Sequence, residues 1–406
     1  MSSGVAFMSN PITKNLRRVY TKCLGHAGRR DPKLWVFGEW FGKHCCDNCL
    51  YLANYIAAKH PEIQCVWLCQ EGADMSLLDD RVARCTLGTE EAKGLLRRAG
   101  VVVMNQGGVD VCCDAGDLSY TGALTVNLWH GVPWKKIGME HLRRAPMFKR
   151  LYGEIMQRFT RADVYLAVCG DMVKVFREQF CARPNGVIEA GYPRNALFYD
   201  HAAICAAREK LLRLLPEISA QYGENVRILS YMPTFRDQSH QTFSFTELEG
   251  NSRLRRMLEQ YNAVIVQKAH FVTDQRGTQW DSHAQQRIFS LNQLSGQELL
   301  AATDVLITDY SSCFFDFLLL DRPIIHYLYD YEYYARQDRG LYYSKEDAVC
   351  GDAPETVEAL LDAMEENLAH PEKHRALRAK RRQYFLAYEG ANSCEAVFEE
   401  IQKRLR

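Results

Sequence analysis

The chain has 406 residues, 47% of them hydrophobic and 25% charged, with Lys plus Arg and Asp plus Glu each totalling 50. That length accommodates two domains of ordinary size, and the balanced charge excludes wholesale steering toward nucleic acid, so a polyanion site has to be a local patch. Fifteen cysteines, odd in number and scattered, argue for reduced thiols in a cytosolic protein rather than a disulfide framework.

Taken in order, Leu16, Val19, Tyr20, Cys23 and Leu24 recur at helical spacing among Lys14, Arg17, Arg18, Lys22, Arg29 and Arg30. Residues 1–33 are therefore expected to form a basic amphipathic helix, either lying on an anionic membrane surface or packed with its charged face in water. From Leu34 strands and helices alternate. Strands are predicted over 34–37, 64–68, 101–104, 124–128 and 164–168, with helices over 90–98 and 171–180 and one capped by Asp47 that runs to Lys59. The turn-rich Gly191-Tyr192-Pro193 precedes a crossing placed at 194–203. A second series has strands over 226–230, 263–266, 305–307 and 324–328, and helices over 248–261, 296–302 and 354–367. The alternation predicts an α/β protein with parallel sheets, one domain over 34–200 and another over 201–370. Residues 371–406 read as helix packing back on the first domain.

No segment reaches the roughly twenty apolar residues of a membrane-spanning helix. No Walker A loop is present and no GxGxxG follows a strand, which weighs against P-loop, kinase and dinucleotide readings. Cys46-x-x-Cys49, with Cys45, Cys112 and Cys113, has no second CxxC or HxxxH to complete a zinc site. Buried small residues are the better reading, and no metal is expected.

Four motifs stand at predicted strand ends, where doubly wound sheets bind ligands. In LWHGVPWKKIG, residues 128–138, His130 precedes Gly131, with Lys135 and Lys136 beyond; a histidine so placed suits a general base near neutral pH. In YMPTFRD, residues 231–237, Arg236 suits bidentate phosphate binding. In VIVQKAHFV, residues 264–272, Lys268 and His270 suit stabilisation of a phosphoryl or leaving group. The run VLITDYSS, residues 305–312, brings Thr308, Asp309, Ser311 and Ser312 to a predicted helix N-cap, where N–H groups and hydroxyls favour an anion. Asp316 lies one turn further along. Each motif has a plainer counterpart: a structural histidine, a surface ion pair, an ordinary cap. Together they suit a phosphorylated or nucleotide-activated substrate.

The ordered set LWHGVPWKKIG, EAGYPRNALF, YMPTFRD, KAHF and ITDYSSCFFDFLLLDRPII resembles the CDP-glycerol glycerophosphotransferase family, which builds teichoic acids and related polymers. FGEWFGKHCCDNCLYLANYI also resembles its N-terminal stretch, so the resemblance runs from about Leu34 to about Tyr334. Phe271 replaces the proline after the second histidine and Val132 a common Thr, and the aromatic of the PTWR-type motif is Phe235. The resemblance implies a GT-B-like fold, two Rossmann-like domains facing across a cleft, with CDP-glycerol held mainly by the second domain. It implies transfer of glycerol phosphate to a lipid-linked or polymeric acceptor with release of CMP, without a cofactor. His130 would then be the base, and His270, Arg236, Ser311 and Ser312 would hold the pyrophosphate. Lys268, Thr308 and Asp309 stand with them on the donor side, and Asp316 is a ribose candidate. Gly131, Lys135 and Lys136 are assigned to the acceptor side.

The family context also gives meaning to residues 141–161. Met147, Phe148, Leu151, Tyr152, Ile155 and Phe159 form one apolar face among Arg143, Arg144, Lys149, Arg150, Arg158 and Arg161. Such a helix either meets a lipid-linked acceptor at a membrane surface or packs on the first domain with a basic rim. A peripheral location on the cytoplasmic face of the membrane is the matching expectation. CDP-ribitol is the alternative donor within the family; a nucleotide-sugar glycosyltransferase and a non-catalytic polyanion binder are the alternatives outside it.

Overall fold

The computed structural model describes residues 29–113, 119–143, 145–234, 243–268, 287–336 and 340–405. Residues 1–28 of the predicted N-terminal helix, together with Arg236 and His270, lie outside them, and residues 31–33 of its range belong to a strand instead. The chain divides into two units, the first taking the described residues up to His130, Gly138–Ala196 and Tyr388–Arg406, the second taking Gly131–Ile137 and Leu197–Ala387.

The first unit holds strands β1 (Asp31–Gly38), β2 (Gln64–Cys69), β3 (Ala83–Thr86), β4 (Ala99–Met104), β5 (Leu124–Asn127), β6 (Val164–Ala167) and β7 (Val187–Glu189). They form one sheet in the order β3-β2-β1-β4-β5-β6-β7, parallel throughout. All of β4 is buried, and so are the last five residues of β1. Strands covered on both faces read as continuous apolar runs, which is why VVVM and LWVF were legible. Val36 sits between Val66 and Val102 in register. Two helices begin at side-chain caps, Asp47 for Asn48–Lys59 and Thr89 for Glu90–Arg98; each cap satisfies an N–H that the helix itself leaves open.

The second unit holds β8 (Arg227–Met232), β9 (Ala263–Gln267), β10 (Ile288–Ser290), β11 (Val305–Thr308) and β12 (Ile324–His326), ordered β10-β9-β8-β11-β12. This sheet is also parallel, so the ends of β8, β9, β11 and β12 bring the loops after them to one edge.

The structure departs from the predicted elements in a few places. Strands β3, β7 and β10, three of the four edge strands, were not predicted; their residues ARCT, VIE and IFS form no apolar run. The helix expected over 248–261 starts only at Ser252. Gly250 at φ 80° breaks the run, and Asn251 caps the shortened helix by accepting from Arg253 and Leu254 N–H. The last stretch is two helices, Arg375–Phe385 in the second unit and Ser393–Leu405 in the first. Among the described residues no helix is long and apolar enough to cross a membrane.

Gly38 ends β1 against the turn at Asp110. A Cβ there would lie 2.4 Å from the Asp110 carbonyl oxygen, a backbone atom that cannot swing aside. Gly38→Ala is expected to cost about 1–3 kcal/mol, the usual range for overpacking, as read by urea unfolding.

Candidate active site

His130 follows β5, and its loop is built from the inside out. Asn127 turns the chain by accepting the Trp129 N–H at 2.9 Å. Trp129 takes the left-handed conformation, φ 59°, and Gly131 a φ of 136°, which a side chain rarely tolerates. The Trp129 indole stands edge-on to Phe176 and Phe180 and stacks on the His130 ring, centroids 4.5 Å apart. Trp40 lies 5.8 Å from the same imidazole.

Beneath the loop is a buried polar network. Asn48 donates to the Trp129 carbonyl at 2.9 Å. Arg194 donates to the His130 carbonyl at 3.2 Å and to Asp47 Oδ1 at 2.8 Å, and its own N–H meets Asn48 Oδ1 at 3.1 Å. The Arg194 and Asp47 side chains are only 7% and 5% exposed. Asp47 also receives the Trp40 indole N–H. Glu39 takes the main-chain N–H groups of Cys46 and Asp47 on one oxygen, with Asn105 at 3.4 Å from the other. Asp110 accepts from Phe41 N–H on one oxygen and from Asn105 and Gln106 N–H on the other. Trp40 and Phe41 share the left-handed conformation, φ 47° and 61°. Two left-handed tryptophans, Trp40 and Trp129, flank the His130 ring, a concentration expected where the fold over-determines a functional loop.

Burial, reinforced by Asp47 and Asp110, pushes the Glu39 carboxyl well above the usual range against two main-chain N–H groups. Burial likewise raises Asp110 to about 6, despite the N–H groups aimed at it. Glu39, Asp110 and Arg194 were not singled out from the sequence. The available signal was a charged residue inside an apolar or turn-rich run, in FGEWF and GYPRNALF.

The second cluster stands at the strand ends of the second unit. Thr308 Oγ1 donates to the Met232 carbonyl at 2.7 Å, and Asp309 Oδ1 accepts the Thr234 N–H at 2.7 Å. Both side chains are fully buried and tie the end of β11 to the loop leaving β8. Lys135 Nζ donates to Thr234 Oγ1 at 2.7 Å, and the Lys136 N–H meets the Gly340 carbonyl. Trp134 anchors that segment among Tyr310, Phe314 and His326, its indole N–H on the Tyr343 carbonyl. Lys135, assigned to the acceptor side from sequence, thus bonds within the unit that carries the donor motifs. Lys268, just past β9, donates to the Asn292 carbonyl at 2.8 Å.

Ser311 and Ser312 are half-buried. Ser312 stands at the N-cap position, but its side chain makes no capping bond, and the helix is only Cys313–Phe317 before a 3-10 turn. A left-handed Asp321 before Arg322-Pro323 ends the run, so the dipole expected there is short and the hydroxyls matter more. Asp316 points inward, fully buried, and accepts from Gln297 at 3.2 Å. Among the described residues no three His, Cys, Asp or Glu converge as a metal site.

Two wholly parallel α/β units, one with a clamped histidine loop and the other with hydroxyls and a lysine at its strand ends, define a transferase of the Rossmann-like, GT-B-like class. The chain belongs to the CDP-Glycerol:Poly(glycerophosphate) glycerophosphotransferase family, whose profile matches residues 22–403. It is 24% identical over 370 residues to a teichoic acid glycerol-phosphate transferase of Staphylococcus aureus, covering 88% of this chain and 90% of that one. It is 27% identical over 249 residues to a teichoic acid poly(glycerol phosphate) polymerase of Bacillus spizizenii, 59% of this chain and 60% of the relative. The solved wall teichoic acid polymerase TagF superposes with a TM-score of 0.72 at 21% identity, with 98% of each chain covered.

The raised Asp110 fixes a pH dependence. Its folded value near 6 exceeds an unfolded value of about 3.9. The native state therefore holds more protons between those limits, and this carboxyl's contribution to stability is lost as pH rises through about 6. Asp110→Asn removes the titration. Relative to that variant, the wild type is expected to lose about 2–3 kcal/mol between pH 4 and 7, measured by urea unfolding at each pH.

Proposed function

We propose that this protein transfers glycerol phosphate from CDP-glycerol to a hydroxyl of a lipid-linked or polymeric acceptor in teichoic acid or capsule-type polymer synthesis, releasing CMP. The observation that carries this reading is the family match over residues 22–403, joined by similarity across 90% of a glycerol-phosphate transferase. In this reading the His130 imidazole accepts the proton of the acceptor hydroxyl. The oxygen attacks the phosphorus of the glycerol phosphate, and the P–O bond to CMP breaks, its electron pair leaving on the CMP phosphate. Phosphoryl transfer depends on positioning and charge stabilisation, which the Arg194 clamp and the strand-end cluster supply. Ser311, Ser312 and Lys268 hold the oxygens of the donor's pyrophosphate while CMP departs, with Arg236 and His270 assigned to the same task from their motifs. Thr308 and Asp309 act at one remove, through the loop they hold, and Asp316 through its helix.

Similarity to the ribitol-phosphate polymerase TarK of Staphylococcus aureus, 27% over 245 residues with 45% of that chain spanned, supports CDP-ribitol as the second donor to test. The Met147–Thr160 helix supports a location at the membrane surface. It buries none of its residues, and Met147 and Phe148 are 84% and 67% exposed. Gly153 faces Leu142 instead, so closely that a Cβ would lie 2.2 Å from it. An exposed apolar row flanked by Lys149, Arg150 and Arg158 fits an interfacial helix.

Nucleotide release should be compared for CDP-glycerol, CDP-ribitol and UDP- and GDP-sugars, with an oligo-glycerophosphate or lipid-disaccharide acceptor. CMP is expected from a CDP-alditol. His130→Ala should cut turnover about a hundredfold or more, the scale of a lost general base, with donor affinity retained. Unchanged turnover removes His130 as the base, and a nucleoside diphosphate from a sugar donor makes the protein a glycosyltransferase.

A further inference from the structure

The C-terminal end of the Met147–Thr160 helix and the loop after the Gly170–Gln179 helix enclose a depression of about 450 Å3. Arg158, Arg161, Arg177 and Arg183 line it with Glu154 and Glu178. Arg158 pairs with Glu154 at 2.7 Å, and Arg183 lies 3.5 Å from Asp163. Arg161 and Arg177 donate instead to main-chain carbonyls, those of Cys181 at 2.8 Å and Pro184 at 3.3 Å. Those bonds aim the two guanidiniums without neutralising them. Neither is spent on the last carbonyls of its own helix, the ordinary task of a cation at that position. A guanidinium carries five N–H donors in a fork matched to phosphate, and each bond named here uses one. Even with Asp163 counted, four cations meet three carboxylates, and the depression stays positive in a chain of zero net charge.

Its place on the fold narrows the ligand. Arg158 follows Ile155 by less than one turn on the helix that exposes Met147, Phe148, Leu151 and Tyr152. A helix lying at a membrane interface sinks its apolar face toward the acyl chains and holds its flanking cations at headgroup depth. The depression then opens where lipid phosphates are dense.

We propose that the depression formed by Arg158, Arg161, Arg177 and Arg183 binds the phosphate of an anionic membrane lipid headgroup and orients the protein on the bilayer. The inference rests on the interfacial reading of the Met147–Thr160 helix but not on catalysis, since vesicle binding is read without turnover.

The test is co-sedimentation of the full chain with phosphatidylcholine vesicles, with and without phosphatidylglycerol. Arg177→Gln/Arg183→Gln leaves the exposed helix untouched, and Leu151→Asp/Ile155→Asp removes its apolar contact. Wild type is expected to prefer the anionic vesicles, and the glutamine pair to lose about tenfold or more of that affinity, given the worth of each cation near an anionic surface. Binding to neutral vesicles should stay as in wild type for the glutamine pair and be lost in the aspartate pair. Arg177→Lys/Arg183→Lys, which keeps charge but not the fork, should fall between and serves if the glutamine pair lowers the melting temperature. Wild-type affinity for anionic vesicles in both Arg pairs overturns the proposal. Loss of binding to a soluble glycerophosphate oligomer with vesicle binding unaltered also overturns it, assigning the depression to polymer instead. If the aspartate pair binds neutral vesicles like wild type, the interfacial reading fails, and the lipid assignment with it.

Discussion

The buried ion pair between Asp47 and Arg194 is the constraint on which the first unit's site depends. Removing one partner of such a pair typically costs about 3–5 kcal/mol, because a charge is left buried and uncompensated. Asp47 caps the Asn48–Lys59 helix, receives the Trp40 indole and pairs with Arg194, while Arg194 reaches the His130 carbonyl. One carboxylate thereby fixes a helix start, a strained aromatic turn and the loop of the proposed base. Burial pushes the Glu39 carboxyl beside it well above the usual range, with Asp47 and Asp110 adding to the shift.

The second unit uses a different device. Its strand-end residues bond to one another, Thr308 to Met232 and Asp309 to Thr234, and Lys135 of the Gly131–Ile137 segment adds a bond to Thr234. The loop after β8 is thus held from two sides before any ligand arrives, the preorganisation that electrostatic catalysis requires. Ser311 and Ser312 stay half-open beside it.

Much of the fold was legible in the sequence because parallel strands buried on both faces leave uninterrupted apolar runs, as in 101–104 and 305–307. Asp47 was readable as a cap and residues 296–302 as a helix, to which the structure adds the Ser295 capping box. The edge strands β3, β7 and β10 were not, because ARCT, VIE and IFS mix polar with apolar residues, whereas the equally short β12 was read from its apolar Ile324-Ile325 start. His130, Lys268 and the serines were singled out through their strand-end position. Arg194 and Glu39 escaped because their meaning is tertiary: Arg194 meets Asp47 across 147 residues. Thr308 and Asp309 looked like ligand contacts, but their hydrogen bonds hold the loop. The apolar face of Met147–Thr160 was visible as a pattern, and only the structure showed that none of its residues is buried.

The central claim is that the Asp47–Arg194 pair holds His130 in place for proton transfer. The most direct measurement is a double-mutant cycle on CMP release, with Asp47→Asn, Arg194→Met and the two combined, each variant's folded state checked by circular dichroism. Misplacing a reacting group by about 1 Å costs on the order of a hundredfold. The account predicts a loss of that size in each single variant with donor affinity kept, and no further loss in the double, because the residues act as a unit. A folded single variant that turns over like wild type, or losses that simply multiply, would contradict it.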